Sequence, residues 1–527
     1  MKHVKKLASL LLAMVMVLSM TTMAFAATVT LPGDETILKG HSFAAYQVFV
    51  GDEADNVLSN VEWGSGIISS SFLSALQTDK KYGARFTACA SAADVAKVLS
   101  DNNADEDMAK AVAEIAYKNK QGNGTTLASG ENNLADGYYL IVDTTTNMEE
   151  GGAYNAALLQ VVGNVNVQVK TDVPKVEKKV KDTNDSMANS TTDWQDSADY
   201  DIGDDVPFQL KATLPNNVSS YDKYKLEFHD TLSTGLAYDV NSAVTVKIDN
   251  TKIDSSKYSV TPTVNEDGTT SLTISFTDVK AAGAKNSSVV TVEYTAKLDT
   301  DAVIGSAGNP NEVYLTYSNN PNDGGEGTND TPEDIVIVFT YKTIVNKIAK
   351  NPNYVADSTD PETKDEYIPL TGAEFTLEKQ QPDKTWKSIT VAKNEAGTEF
   401  TFSGLDDGQY RLVESTTPDG YNTISPIYFV IEATHDGDKD TPALTELNAY
   451  VTDENWNKKT NETGTNIDLG VVTPQSGSIE TDVENLSGST LPETGGIGTT
   501  IFYVLGGILV VAAAILLVTK KRMSAEK

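Results

Sequence analysis

The chain has 527 residues, with 41 Lys and Arg against 74 Asp and Glu, a formal net charge of −33. Such an excess of negative charge keeps a crowded protein soluble and excludes nucleic acid as a partner. It reads as a solvated face with no specific ligand. One cysteine, Cys89, and four isolated histidines, His3, His41, His229 and His435, rule out an intramolecular disulfide and suggest neither a zinc site nor a Cys/His or Ser/His/Asp catalytic group. No cofactor, metal or enzymatic turnover is therefore expected.

In chain order, residues 1–26 begin with Lys2, Lys5 and Lys6, continue through the uncharged run Leu7–Met23 and end on Ala24-Phe25-Ala26, a small-x-small exit. This order predicts a secretory signal peptide and an exported protein. Roughly 465 residues remain before the C-terminal segment, enough for three domains.

The first domain, 27–172, shows Met108, Val112 and Ile115 at helical spacing after an alanine-rich Ser91–Ser100 stretch, so one or two helices are expected among its strands. Tyr139, Ile141 and Asp143 share one strand face. No lysine opens this domain convincingly, so no crosslink is claimed for it, and Asp143 reads equally well as a buried, hydrogen-bonded side chain.

The segment VPKVEKKVKD opens a second domain, 173–336. Lys178 has the parity of Val176 and Val180, which favours it over Lys179 as the inward lysine. Alternation of Leu272, Ile274 and Phe276, and of Val290, Val292 and Tyr294, with polar neighbours predicts half-buried strands. The same parity puts Asp230 with Leu226 and Phe228, and Asn311 with Val313, Leu315 and Tyr317. The loop Asn319–Asp330 has the composition of plain turns and lacks EF-hand spacing.

A third domain, 337–489, opens on a strand holding Lys347 and continues through Leu370-Thr371-Gly372-Ala373-Glu374-Phe375 and Tyr410-Arg411-Leu412-Val413-Glu414 to Asn485. Tyr410, Leu412 and Glu414 are two apart, so the glutamate points where the apolar side chains go. A buried carboxylate is costly unless paired, and a lysine buried beside it tends to lose its proton and become a nucleophile.

Residues 490–496 carry Leu491-Pro492-Glu493-Thr494-Gly495, followed by an uncharged stretch 497–519 and a basic tail 520–527. The stretch is long enough to cross a bilayer as a transmembrane helix, and Lys520, Lys521 and Arg522 hold the tail on the cytoplasmic side. Pro492 keeps the preceding pentapeptide extended.

This end resembles the cell-wall sorting signal of Gram-positive surface proteins, which sortases cut between the residues here numbered Thr494 and Gly495. The third domain resembles the Cna B-type domain, its YRLVESTTPDGY segment the pilin E-box, with Ser415 and Thr417 where Thr and Ala are usual. YKLEFHDTLSTGLAY and NEVYLTYSNNP resemble the middle domain of major pilins. The resemblance implies a mainly β fold of tandem immunoglobulin-like sandwiches (Cna A/B-type). It also implies Lys-Asn isopeptide bonds, Lys347 to Asn485 promoted by Glu414, and Lys178 to Asn311 promoted by Asp230.

Val173-Pro174-Lys175 stands where major pilins carry a Tyr-Pro-Lys motif, so Lys175 is the expected amine for the next subunit, although Val173 replaces the tyrosine and Lys170 is a substitute. The implied partners are a class C pilin sortase and a housekeeping sortase, further copies of the chain, minor pilins, peptidoglycan and a host surface receptor. The expected location is a pilus anchored to the cell wall. Rival readings are a monomeric wall-anchored adhesin, a minor pilin and a sortase-anchored enzyme.

Overall fold

The computed structural model describes residues 27–488, apart from 34–37, 39, 55–56, 147, 150, 162–164, 168–171, 463–464 and 466. The signal segment 1–26, Lys170, the LPETG motif, the apolar stretch 497–519 and the basic tail lie outside the described residues. Among the described residues no helix is long and apolar enough to cross a membrane.

Strands dominate throughout, and the α-helices Ser69–Thr78, Gly83–Phe86, Ala92–Asp101 and Glu106–Lys118 lie together in the first region. Glu106–Lys118 buries Met108, Val112 and Ala116 along one face. Ala92–Asp101 starts at a capping box in which Ser91 and Asp94 bond reciprocally. These two answer the expected helices. Ser69–Thr78 and the single turn Gly83–Phe86 go beyond that expectation. Their apolar signal is sparse: Phe72 and Leu76, one turn apart, are set among serines that favour caps over helix interiors. The helices pack on the sheet formed by Val57–Trp63, Phe43–Ala54, Gly137–Asp143 and Leu158–Val161. A smaller sheet, Gly130–Leu134, Ala27–Leu31 and Val165–Asn166, covers a second cluster around Val29, Phe43 and Ile141.

The middle region is a sandwich of two sheets. One runs Thr251–Lys252, Thr245–Ile248, Val289–Leu298, Asp205–Thr213 and Lys175–Val180. The other runs Ser197–Asp199, Asp334–Phe339, Asn309–Ser318, Leu226–Leu232, Thr270–Phe276 and Ser259–Val264. Strict alternation supplies the core: Phe208, Leu210, Phe228, Ile274, Val292 and Leu315 are fully buried, with their polar neighbours turned outward.

A second sandwich follows with Tyr341. Its first sheet runs Val391–Lys393, Glu399–Leu405, Tyr341–Lys350, Ser478–Glu484 and Val471–Thr473. The facing sheet runs Trp386–Ile389, Glu374–Gln380, Gly408–Thr416, Ile427–His435 and Leu444–Thr452. Its opening and closing strands, Tyr341–Lys350 and Ser478–Glu484, lie side by side and parallel, Lys347 opposite Val483.

The two sandwiches touch closely. Gly404 has φ +79°, and a Cβ there would lie 2.5 Å from Ile202 of the middle region, so any side chain would push the two apart. The Ile202 N–H donates to Gly404 O at 3.1 Å across the same contact. On the other side, Asn322 of the Asn319–Asp330 loop accepts from the Ala157 N–H at 2.5 Å and donates to Asn155 O at 2.8 Å, tying that loop to the first region.

Candidate crosslinking sites

In the middle sandwich the inward parity of Lys178, Asp230 and Asn311 places all three in the core, each essentially without exposure, whereas Lys179 is half-buried and pairs with Asp196. Lys178 comes from the edge strand of one sheet and Asp230 and Asn311 from neighbouring strands of the other, so the group spans the sandwich. Lys178 Nζ contacts Asp230 Oδ1, and the Tyr294 hydroxyl donates to Asp230 Oδ2. Asn311 Nδ2 donates to the Tyr294 oxygen at 2.8 Å, and Asn311 Oδ1 is buried without a hydrogen-bond partner.

Burial lowers the Lys178 ammonium below the usual lysine range, against the pull of Asp230, and burial raises the Asp230 carboxyl. Both shifts act in the direction that moves the shared proton from the amine toward the aspartate. Phe208 lines the pocket with its ring centroid 5.5 Å from Lys178 Nζ.

The third region assembles the same residue types with different geometry. Lys347 is fully buried, Asn485 is 1% exposed and Glu414 5%. Lys347 Nζ lies 3.9 Å from Glu414 Oε1 and donates to Val483 O at 2.8 Å. Asn485 Nδ2 donates to Glu414 Oε2 at 3.2 Å and to Asn422 O at 2.8 Å, while Asn485 Oδ1 is buried and unpartnered. One carboxyl therefore stands between the amine and the amide nitrogen. Burial depresses the Lys347 amine to about 8, against the opposing pull of Glu414 and Glu484. Phe375 sits 5.8 Å from Lys347 Nζ, an apolar wall that sustains that depression.

Lys175 is exposed at the first position of its strand, opposite Thr213, while Pro174 beside it is buried and Val173 packs on the middle core. In the first region Asp143 is a hub: it accepts from His41 Nδ1 at 2.6 Å, the Thr145 hydroxyl at 2.6 Å, and the backbone N–H and Nδ2 of Asn155, both at 3.0 Å. Although burial opposes it, these donors lower its carboxyl below the ordinary aspartate value. This is the buried, hydrogen-bonded side chain of the second reading given above.

Two features escaped the sequence reading. Tyr294 was counted only as an inward residue of an alternating strand, yet a buried tyrosine must place its hydroxyl somewhere, and here it enters the Lys178 site. Lys379 has the inward parity of Phe375 and Leu377 and is fully buried at the contact between the sandwiches. There it meets Asp406 and Asp185, with Asp201 Oδ2 at 3.2 Å. Two groups in this contact, Asp185, Asp201 and Asp204, and Asp182, Asp199 and His435, have ligand-type atoms within 4.8 Å of one another. The Lys379 ammonium already supplies a positive charge to the first. In the second, His435 bonds to the Ser197 hydroxyl at 2.7 Å and lies 3.2 Å from Asp182.

Comparison with known proteins matches three segments. Residues 202–321 match the family described as Gram-positive pilin backbone subunit 2, Cna-B-like domain, residues 359–443 a prealbumin-like fold domain, and residues 487–524 the LPXTG cell wall anchor motif. The chain is 23% identical over 412 residues to the trypsin-resistant surface T6 protein of Streptococcus pyogenes, covering 67% of this chain and 70% of that protein. Among solved structures, the T6 backbone pilin of S. pyogenes aligns with a TM-score of 0.50 at 17% identity, over 89% of this chain and all of that one. The major pilin SpaD of Corynebacterium diphtheriae aligns with a TM-score of 0.46 at 16% identity, over 89% and 99% of the two chains.

Proposed function

We propose that this chain, a cell-wall-anchored homologue of the T6 backbone pilin with pilin backbone, prealbumin-like and LPXTG anchor segments, is the repeating subunit of a covalent surface pilus. A sortase cleaves between Thr494 and Gly495 and passes the threonine acyl group to Lys175 of the next subunit. A class C pilin sortase performs the polymerisation, and a housekeeping sortase transfers the finished shaft to peptidoglycan. The chain itself turns over no substrate.

The observation that carries this reading is the repeated grouping of one lysine, one acid and one asparagine, fully desolvated, in each sandwich. In the third region the neutral Lys347 amine attacks the Asn485 carboxamide carbon, the carbon–nitrogen bond breaks, and ammonia leaves. Glu414 contacts both nitrogens and carries the proton between them. In the middle region Lys178 and Asn311 react likewise beside Asp230. Each link ties the opening strand of a sandwich to a strand near its close, so tension passes along the amide instead of through the core. No reductant can cleave it.

Exposure of Lys175 beside the buried Pro174 favours it as donor, since the sortase-bound threonine must reach the amine. The test is an immunoblot of cell-wall extract boiled in detergent. A high-molecular-weight ladder that collapses to monomer in Lys175→Ala is expected. A ladder surviving in that variant moves the donor to Lys170 or another lysine, and no ladder from the native chain means a monomeric anchored adhesin or a minor pilin.

A further inference from the structure

The two groupings differ in how the acid reaches the amide. Glu414 spans from Lys347 Nζ, 3.9 Å from Oε1, to Asn485 Nδ2, 3.2 Å from Oε2, with its own two oxygens. Asp230 is one methylene shorter. Its Oδ1 contacts Lys178 Nζ, but its Oδ2 is taken by the Tyr294 hydroxyl, and that hydroxyl meets Asn311 Nδ2 at 2.8 Å. Resting on the Lys178–Asn311 reading above, we propose that Tyr294 is a catalytic residue of the middle sandwich, completing a proton path from Lys178 through Asp230 to the leaving nitrogen of Asn311.

The placement suits that task. Tyr294 is 3% exposed and lies opposite Phe208, its ring stacked on Phe208 at 5.5 Å and meeting Tyr238 edge-on at 6.0 Å. Those contacts hold the phenol so that its oxygen faces both Asp230 and Asn311. Burial raises its pKa well above the ordinary tyrosine value, so the phenol passes a proton only by taking another at the same time.

The Lys178 lone pair forms the new bond to Asn311 Cγ, and the amine gives one proton to Asp230 Oδ1. Nδ2, now pyramidal, acquires a lone pair. The Tyr294 hydroxyl donates its proton to Nδ2 and takes the proton of the aspartic acid through Oδ2. The Cγ–Nδ2 bond then breaks, ammonia departs carrying the relayed proton, the second amine proton stays on the new amide nitrogen, and Tyr294 and Asp230 regain their starting states. Neither oxidant nor co-reactant is needed.

The test uses the full chain, isolated unfolded and refolded by dilution, with the Lys178–Asn311 peptide quantified over time by mass spectrometry. Tyr294→Phe keeps the ring and removes only the hydroxyl, and its middle link is expected to form roughly a hundredfold more slowly. The Lys347–Asn485 link should form at the native rate and report that the chain folds. Adding Asp230→Glu to Tyr294→Phe should recover much of the lost rate, because the longer acid reaches Nδ2 as Glu414 reaches Asn485. A native rate in Tyr294→Phe would overturn the proposal. If that variant fails to fold, the native chain still decides: equal rates of middle-link formation in light and heavy water would overturn the relay, and a slower rate in heavy water is expected. Absence of any Lys178–Asn311 link in the native chain would instead remove the reading on which the relay rests.

Discussion

Lys347 faces Val483 on the neighbouring parallel strand, and Asn485, two residues further on, donates its backbone N–H to Ile348 O at 3.1 Å. The main chain itself thus brings together the two side chains proposed to react, from opposite ends of a sandwich that lies almost wholly between them. A crosslink closing so long a loop removes roughly 4 to 5 kcal/mol of unfolded-state entropy, by the treatment used for disulfides. Asn485→Ala should therefore retain the free Lys347 amine, melt well below the native chain and become sensitive to trypsin. Calorimetry with intact-mass analysis checks this, and an unchanged melting temperature would mean that the link carries no load in the third sandwich.

The pH dependence of that bond follows from Lys347. With its amine at about 8, the neutral fraction rises about tenfold per pH unit below that value and saturates above it. Formation of the Lys347–Asn485 link during refolding should follow the same course, quickening from pH 6 to about 8 and then levelling. In Asn485→Ala the same depression acts on stability. The folded amine binds its proton less readily than the unfolded one, so stability rises with pH between about 8 and the ordinary lysine value and is flat below about 8. A link rate that falls as pH rises from 6 to 8 would show that the lysine does not limit the reaction.

How much of this was legible in the sequence depended on which physical signal carried it. Parity alone sorted Lys178 from Lys179 and put Asp230, Asn311 and Glu414 among buried side chains, because a strand gives a side chain only two directions. It could not say which buried groups meet. Asp230 and Asn311 approach Lys178 across the gap between two sheets, and that depends on which strands face each other. Tyr294 was on the inward face of the reading, but the target of its hydroxyl is a tertiary fact. Lys379 was missed because an inward lysine on an edge of the motif LTGAEFTLEKQ reads as a snorkelling side chain unless its acids, which lie far away in sequence, are known.

Asp143 organises the end of its strand by accepting five hydrogen bonds, the Thr145 N–H at 3.2 Å among them, while 5% exposed. Asp143→Ala leaves the His41, Thr145 and Asn155 donors without their shared acceptor and should destabilise the first region by about 2 to 4 kcal/mol. Because the folded carboxyl is depressed, its contribution is present above the ordinary aspartate value and is lost as pH falls through the folded one. The native advantage over Asp143→Ala, measured by urea titration, should therefore shrink in acid. An advantage independent of pH would show that the side chain acts through packing alone.

Lys379 makes the strongest case for coupling between the two sandwiches. Burial alone would depress its ammonium, but Asp406 of its own sandwich and Asp201 and Asp185 of the other outweigh burial and raise it. Asp201 also accepts the Asp406 N–H at 3.1 Å, so one carboxylate from the middle region binds both the charge and the backbone of the third. Lys379→Met removes the buried cation from these acids and leaves only the partly exposed Lys387, 3.6 Å from Asp201, beside them, a change expected to cost about 3 to 5 kcal/mol. The loss should appear as a lower melting temperature together with protease cleavage between residues 181 and 204, where the middle region contributes its acids. Adding Asp406→Leu should recover part of the loss, because an apolar pair of similar volume replaces an unpaired charge. A Lys379→Met chain that melts and resists protease like the native one would mean that the junction is held by the Gly404–Ile202 contact instead of by charge.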